Sequence, residues 1–437
     1  MNIHGQGKTD TGAQRTKNDD SFLIDANLGL YVVCDGVSGH AAGDTASRMC
    51  AETVRKHVTD NAQALVRYRS DRSLANRAQL ATVLRDAIHL ASRKILAAAE
   101  SDPAKRGMAT TVDILLMAHD HAILGHVGDS RVYLLRGDQV HQLTEDHKVS
   151  HEMKKQGLWT PEDEKASPYS NVLTRAVGMG EFVQVDTLQV ELMPGDLFLL
   201  CSDGLSDYFQ TLAPEFKGIV AKHSAEKKNP DKFAESICQE LIRFANSCGG
   251  KDNITSVVVS VDGAPQGNLA LDAMRKSEVL GKVPLLRYLN YAELMKILSL
   301  VQLREYAPGA AIIEEGSVGT EMYVLLTGKV EIRKSNHTIS RHDKGAVFGE
   351  MGLFDNAARS ASVVTQTDAV AMAISRKDLL PLLRQEPQIA VKFFWALNQE
   401  LNRRLRATSQ DLANAKATLE SGIHELPFAV DEVTLPG

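Results

Sequence analysis

Short apolar runs alternate with amphipathic stretches along the chain up to about residue 262. The apolar runs are rich in Val, Leu and Ile and are bounded by Gly, Asp or Asn, which is typical of buried β-strands. Long stretches such as GDTASRMCAETVRKHV and LATVLRDAIHLASRKILAAAE have the spacing of amphipathic helices instead. Strand pairs at hairpin spacing combined with long helices predict an α+β layered sandwich.

A different pattern follows a Gly- and Pro-containing stretch at residues 263–284, which we interpret as a linker between two domains. The first domain is then predicted at residues 1–262 and the second at residues 285–437. In the second domain, closely spaced strands punctuated by glycines predict a small β-roll, or jelly roll.

One long helix is predicted after the β-roll, in EPQIAVKFFWALNQELNRRLRATSQDLANAKATLE. Its seam positions alternate in steps of four and three: Phe394, Asn398, Leu401, Leu405, Thr408, Leu412, Ala415 and Leu419. This is the spacing of a coiled coil, in which a polar residue such as Asn398 fixes the register. The helix therefore either pairs with a second copy of the chain, giving a homodimer, or packs on its own domain.

The composition changes this picture little. The chain has 437 residues, of which 43% are hydrophobic and 24% charged, as in soluble globular proteins. The net charge of −6 gives no basic field that would attract nucleic acid or an anionic membrane. No signal peptide or membrane-length apolar run is recognisable, so we expect a cytoplasmic protein with neither a nucleic-acid nor a membrane partner.

Aspartates lie beside the predicted strands in five motifs, RTKNDDS, DGVSGH, HVGDSRVY, CSDGLSD and GGKDNIT. Several carboxylates at one place repel one another and require a cation. Oxygen ligands without His or Cys favour Mg²⁺ or Mn²⁺. Two such ions sharing one aspartate would activate a water molecule, and this chemistry indicates hydrolysis of a phosphate ester.

In their order, and together with GMATTV, LTEDH and VLTRAVG, these motifs resemble the metal-dependent serine/threonine protein phosphatases of the bacterial PPM (type 2C) family. The resemblance covers residues 1 to about 262. It implies an αββα sandwich with a dimetal site that holds two Mn²⁺ or Mg²⁺ ions. It also implies that phosphoserine or phosphothreonine in proteins is the substrate.

The same resemblance implies a role for each matching residue. Asp35 would bridge the two ions, and the Gly36 carbonyl would bind one of them. Asp203 and Asp252 would bind the other ion. Asp19 stands where the family usually has Glu and would reach the first ion.

Four further residues have implied roles around this site. Asp20 would support the ligands without touching an ion, and Asp129 would join Asp203 around a possible third metal ion. Arg15 would hold the substrate phosphate, because the planar guanidinium matches two phosphate oxygens. His40 follows the Asp-Gly pair and is interpreted as a supporting residue rather than an acid.

In the second domain, FGEMGLFDNAARSASVV combines a Gly-Glu turn, a short helix and an arginine, which suits phosphate binding. With PGAAIIEEGSVGTEMYVLLTGKVEI it resembles a cyclic-nucleotide-binding domain followed by the dimerising helix of catabolite-activator-like proteins. The resemblance implies that Gly349 and Glu350 contact the ribose and the cyclic phosphate. It further implies that Arg359 pairs with the phosphate and that Ser360 adds a hydroxyl contact. A serine after the arginine occurs among cyclic-AMP binders, whereas a hydroxyl at this position can also favour guanine. Of the two nucleotides, cyclic AMP is preferred over cyclic GMP.

The resulting hypothesis is a protein phosphatase regulated by a cyclic nucleotide. The alternative is a catalytically weak phosphatase-fold scaffold that acts as a nucleotide-dependent interaction module. The complete set of aspartates favours the enzyme.

Overall fold

The computed structural model describes residues 1–37, 42–208, 212–263, 283–355 and 357–424. Its described residues form two units. The first contains the chain up to residue 263 together with Asn290–Val301, and the second contains residues 283–289 and the chain from Gln302 onwards. This division differs from the predicted one, because residues 290–301 pack with the first unit although the sequence pattern assigned them to the second domain. Most of the predicted linker lies outside the described residues.

Two antiparallel five-stranded sheets form the centre of the first unit. In spatial order, the strands of one sheet are β1 (Asn2–Asp10), β10 (Ile254–Asp262), β9 (Leu197–Cys201), β6 (Arg131–Arg136) and β7 (Gln139–Gln142). Those of the other sheet are β2 (Asp20–Asp25), β3 (Leu30–Asp35), β4 (Val112–Ala118), β5 (His121–Val127) and β8 (Asp186–Glu191).

Helices cover both outer faces of this pair of sheets. The helices of this unit are α1 (Gly43–Asp60), α2 (Gln63–Ser70), α3 (Leu74–Ser101), α4 (Val149–Lys155), α5 (Pro161–Ala166), α6 (Asp203–Ser206), α7 (Leu212–Lys222), α8 (Pro230–Ser247) and α9 (Tyr291–Leu298). Of these, α1 to α3 lie on one outer face, and α7 and α8 lie on the other. Short 3₁₀ turns lie at Pro103–Lys105 and Ser224–Lys228.

The position of strand β3 between two cores explains its apolar sequence. Leu30 and Val32 pack into the core formed with α1 and α3, whereas Tyr31 and Val33 point into the core between the two sheets. A strand buried on both faces reads as a continuous apolar run rather than an alternating one. A third core lies between the other sheet and helices α7 and α8. The predicted αββα sandwich is confirmed.

The turn at Gly128 carries the chain from one sheet to the other. The run HAILGHVGDSRVYLLRG forms β5 in one sheet and β6 in the other. Gly128 has a φ of 118°, in the region that favours glycine. This change of sheet places Asp129 in the loop directly after β5.

Helix α9 packs against the first unit through both apolar and polar contacts. Ala292 and Met295 join the core between the sheets. The Tyr291 ring stacks on His141 with a centroid distance of 3.8 Å, and Arg136 Nη1 donates to Tyr291 Oη at 2.7 Å. The helix begins with a capping box between Asn290 and Glu293.

The second unit is the predicted β-roll, built from two antiparallel four-stranded sheets. One sheet contains β11 (Gln302–Tyr306), β18 (Ala369–Ser375), β13 (Glu321–Thr327) and β16 (Val347–Phe348). The other contains β12 (Ala311–Ile313), β17 (Ser362–Thr365), β14 (Val330–Lys334) and β15 (His337–His342). Helices α10 (Arg376–Gln385) and α11 (Pro387–His424) follow, and 3₁₀ turns lie at Pro284–Leu286 and Met351–Leu353.

The long helix α11 has one buried segment and one exposed segment. Phe393 and Ala396 are buried in the second unit, so the first turns pack on their own domain. Further along, Leu405 is 65% exposed and Leu412 is 69% exposed. Part of the predicted seam is therefore open to solvent. No helix in the part of the chain that the structure describes is long and apolar enough to cross a membrane.

Candidate functional site

The carboxylate of Asp35 lies at the end of β3, where the backbone is held from both sides. The Asp35 N–H donates to Thr111 Oγ1 at 2.9 Å, and Thr110 Oγ1 donates to the Asp35 carbonyl at 2.8 Å. Next to it, Gly36 packs so closely against the backbone of Asp19 and Gly43 that a Cβ atom would clash. The Asp-Gly pair is thus a rigid strand end, as the sequence predicts.

Asp20 faces Asp35 across the β2–β3 pair. Its Oδ2 accepts hydrogen bonds from Ser202 Oγ at 2.7 Å and from Thr255 Oγ1 at 2.6 Å. Its Oδ1 is buried and has no hydrogen-bond partner among the residues that the structure describes. Burial raises the pKa of Asp20 to about 6, although the two hydroxyl groups oppose this shift. An unpaired buried carboxylate oxygen indicates a place where a cation is needed nearby.

Asn253 fixes the loop that carries Asp19. Its Oδ1 accepts from the Asp19 N–H at 2.8 Å, and its Nδ2 donates to the carbonyls of Thr11 and Lys17, each at 2.9 Å. The Asp19 carboxylate accepts a hydrogen bond from the Asp44 N–H at 3.2 Å. The motif GGKDNIT predicted a role for its aspartate, but the role of its asparagine was missed.

Asp203 and Asp252 come together because the chain after β9 packs against the start of β10. Asp203 begins the short helix α6, and Gly204 lies so close to the carbonyl of Asn253 that only glycine fits. Arg15 Nη2 donates to Asp252 Oδ2 at 2.6 Å. The structure therefore brings the predicted phosphate-binding arginine to one of the predicted metal ligands.

The charges of these carboxylates affect the pKa values of Asp20, Asp35 and Asp203. Burial, followed by the charges of Asp20 and Asp203, raises the pKa of Asp35 well above its usual value. Burial and the charge of Asp129 likewise raise the pKa of Asp203, and Lys148 opposes that shift. Several acidic groups that hinder one another's ionisation in this way form one electrostatic cluster.

This donor set consists of oxygen atoms, which suits a hard divalent ion. Within the described ranges, no three His, Cys, Asp or Glu side chains are placed to hold one ion together. Mg²⁺ keeps several waters and takes only one or two carboxylates from a protein. The carboxylate cluster therefore fits such ions with no more than two carboxylates on each and water completing the coordination, and Asp35, Asp203 and Asp252 are not all placed to hold the same ion.

Lys148 is a functional candidate that sequence reasoning missed. It is buried, and its Nζ lies 2.6 Å from Asp129 Oδ2 and 3.9 Å from Asp203 Oδ2. Burial alone would lower the pKa of Lys148, but the nearby carboxylates raise it above its ordinary value. A lysine beside a histidine in LTEDHK carries no signal by itself, because its partners come from other elements of the fold.

The polar segment at residues 147–171 contains the two short helices α4 and α5. His147 is buried and accepts a hydrogen bond from the Gly128 N–H at 3.0 Å, so it supports the turn before Asp129. His40 lies outside the described residues, so its predicted supporting role stays a prediction.

In the second unit, the guanidinium of Arg359 lies in the predicted phosphate-binding segment. Its Nη1 donates to the Gly349 carbonyl at 2.8 Å, and its Nη2 donates to the Glu321 carbonyl at 2.6 Å. A cavity of about 190 Å³ is lined by Gly349, Glu350, Arg359 and Ser360. All four residues predicted to contact a cyclic nucleotide thus line one cavity.

Arg404 is a second residue that sequence reasoning missed. It lies on α11, lines the same cavity, and its Nη1 donates to Glu350 Oε1 at 2.7 Å. Its Nη2 also donates to the Val347 carbonyl at 2.8 Å. Glu350 is itself buried, so this ion pair joins the long helix to the cavity wall.

Comparisons with known proteins match each of the two domains. The family model for protein phosphatase 2C matches residues 9–244, and the model for the cyclic nucleotide-binding domain matches residues 303–386. The chain is 36% identical over 257 residues to protein phosphatase PhpP of Streptococcus pneumoniae, covering 58% of this chain and 96% of that protein. It is 34% identical over 268 residues to serine/threonine phosphatase stp of Listeria monocytogenes, covering 61% and 98%.

Among solved structures, a bacterial serine phosphatase covers 60% of this chain and 100% of its own, with 28% identity and a TM-score of 0.51. The 2C model spans more than half of the chain, and the relatives are matched over almost their whole length. The chain belongs to the protein phosphatase 2C family and carries, in its second unit, a cyclic nucleotide-binding domain.

Proposed function

We propose that the chain hydrolyses phosphoserine and phosphothreonine in proteins with two Mn²⁺ or Mg²⁺ ions, and that a cyclic nucleotide bound to the second unit regulates this activity. The observation that carries the proposal is the cluster of mutually destabilised carboxylates at one end of the sandwich. The names of the bacterial relatives support the substrate class.

Asp19, Asp35, Asp203 and Asp252, with the Gly36 carbonyl, would hold the two ions. When bound, such ions lower the pKa of a coordinated water and neutralise charge on the phosphate. The protein keeps these ligands in place through the hydrogen bonds to the Asp35 backbone described above. The ligands lie at the ends of strands and at the start of the short helix α6. The sheets therefore set the distances between these ligands.

Arg15 would bind the substrate phosphate. It is partly exposed and paired with Asp252. A phosphate dianion offers the guanidinium two oxygens in a plane, which is a better partner than one carboxylate oxygen. We therefore infer that Arg15 turns from Asp252 to the substrate when Asp252 binds an ion.

Anomalous diffraction at the manganese edge tests the metal site. Two peaks with the Asp35 carboxylate between them are expected in crystals grown with Mn²⁺. Crystals of Asp138→Asn, which changes an exposed aspartate in the β6–β7 turn, provide the matched control and should give the same two peaks. Peaks that do not touch Asp35 would contradict the proposed ligand set.

Cyclic nucleotide would bind in the cavity of the second unit. Arg359 would pair with the cyclic phosphate and Glu350 with the ribose hydroxyl, while Ser360 would add a hydroxyl contact. The serine after the arginine supports cyclic AMP over cyclic GMP. Since Arg404 already pairs with Glu350, a nucleotide that takes Glu350 would change the contact between the cavity and α11.

The short chain segment between helix α9 and strand β11 could transmit the effect of nucleotide binding to the first unit. Helix α9 packs on the first unit, and Gln302, the first residue of β11 in the second unit, follows four residues after its end. A nucleotide-dependent shift of the β-roll would therefore pull on a helix that is anchored in the sandwich. Phosphopeptide turnover should change at saturating cyclic AMP and should not respond in Arg359→Ala. An equal rate with and without either nucleotide would refute this regulation.

The exposed face of α11 supports a homodimer formed through this helix. Leu405 and Leu412 are exposed at coiled-coil spacing, and a second copy of the chain would cover both. Sedimentation of the full chain tests this interpretation. A dimer that becomes monomeric on Leu405→Glu is expected, and a monomeric wild-type chain would refute it.

A further inference from the structure

A buried ammonium group lies among three carboxylates beside the proposed metal site. Lys148 is 7% exposed, and its Nζ lies 2.6 Å from Asp129 Oδ2. Asp203 Oδ2 lies 3.9 Å away and Asp207 Oδ1 lies 4.0 Å away. This arrangement places one positive charge within 4.0 Å of three carboxylates.

The position of Lys148 is fixed by its surroundings. Its backbone forms an isolated β-bridge with Leu173, and the residue is the N-cap of α4. Asp129 is only 5% exposed, so this ion pair is largely shielded from water. A buried charge is retained only with its partner, because either group alone would lose its solvation without compensation.

The geometry leaves no room for a further cation at Asp129 Oδ2. An ion bound to Asp129 would lie roughly 2.0–2.2 Å from its carboxylate oxygen. The ammonium nitrogen already lies at hydrogen-bond distance from that oxygen, and it is also 3.9 Å from Asp203 Oδ2. A divalent ion there would face both steric overlap and repulsion from the ammonium.

We propose that the Lys148 ammonium takes the place of a third divalent ion at Asp129, so that the chain binds two ions and Asp129 is not a metal ligand. This inference rests on the proposed two-ion function. It replaces the expectation that Asp129 joins Asp203 around a third ion. Lys148 is then a positioning residue, which holds Asp129 and neutralises surplus negative charge beside Asp203.

Counting bound manganese in the full chain tests the proposal. Equilibrium dialysis against millimolar Mn²⁺, followed by elemental analysis, should give two ions per wild-type chain. The same count of two is expected for Asp129→Asn, since this aspartate binds the ammonium. Lys148→Ser removes the charge and frees the site, so three ions are expected. The double variant Lys148→Ser with Asp129→Asn should return to two.

Lys154→Ser provides the matched control, because Lys154 lies in the same segment but pairs with Glu164 at a partly exposed position. It should bind two ions. Three ions in the wild type, with one lost in Asp129→Asn, would overturn the proposal even if Lys148→Ser failed to fold. Two ions in a folded Lys148→Ser would also overturn it. Fewer than two ions in the wild type would refute the two-ion function itself.

Discussion

Replacing Asp20 by asparagine should stabilise the metal-free protein. In the structure, Asp20 faces Asp35, and one of its carboxylate oxygens is buried without a hydrogen-bond partner among the described residues. Asparagine has nearly the same shape and keeps one oxygen for the hydroxyl groups of Ser202 and Thr255. It removes the charge that burial and the neighbouring carboxylates disfavour.

The magnitude follows from the pKa of Asp20. Burial raises this pKa from its ordinary value of 3.8 to about 6. A shift of one unit corresponds to about 1.4 kcal/mol, so ionised Asp20 lowers the free energy of unfolding by up to about 3 kcal/mol. The penalty is absent below pH 3.8, grows as the pH rises to 6 and is complete above it, because only the ionised form is disfavoured in the folded state.

Urea unfolding in EDTA measures this effect. The chain has two tryptophans, Trp159 in the first unit and Trp395 in the second. A Trp395→Phe background therefore allows Trp159 fluorescence to report on the first unit. The Asp20→Asn variant should be more stable by about 3 kcal/mol at pH 7.5, with the difference shrinking towards zero near pH 4. A variant less stable than the wild type at pH 7.5, or a gain independent of pH, would refute the reasoning.

Two further predictions concern other charged groups. Burial opposes charge on His126, but Asp113 outweighs it and raises the pKa of His126 to about 8. Charged His126 therefore adds about 2 kcal/mol to the free energy of unfolding below pH 6.5, and this contribution is lost as the pH rises through 8. The urea midpoint of the wild type should fall over this pH range, and that of His126→Gln should not. The same pH profile in both proteins would contradict the raised pKa of His126. In the second unit, Arg359→Ala should weaken cyclic AMP binding at least about tenfold in calorimetry, because a bond to a charged group is lost, and unchanged affinity would exclude Arg359 from the site.

The layers of the fold were predictable because buried positions are occupied by apolar residues, which the sequence shows directly. Strand β3 is apolar at consecutive positions, and it is covered by helices on one side and by the second sheet on the other. The aspartates were predictable for a related reason. A carboxylate directly after such a run must lie at a sheet end, and several sheet ends can meet at one site.

Residues whose role depends on distant partners were not predictable. Arg404 is 54 positions from Glu350, and only the packing of α11 on the β-roll brings them together. Lys148 is surrounded by aspartates from two different parts of the chain, Asp129 after β5 and Asp203 and Asp207 at the two ends of α6. Helix α9 lies with the first unit in the structure, and an amphipathic pattern alone does not identify the surface on which a helix packs.

The most direct test of the account is manganese-dependent phosphate release from a phosphothreonine peptide by the wild type and by Asp35→Asn. We predict saturable activity with Mn²⁺ that EDTA abolishes, and a loss of more than about 100-fold in Asp35→Asn at every Mn²⁺ concentration. The Asp138→Asn control should retain the wild-type rate. Wild-type activity that persists in EDTA, or an active Asp35→Asn variant, would contradict the central claim that these aspartates form a metal-dependent phosphatase site.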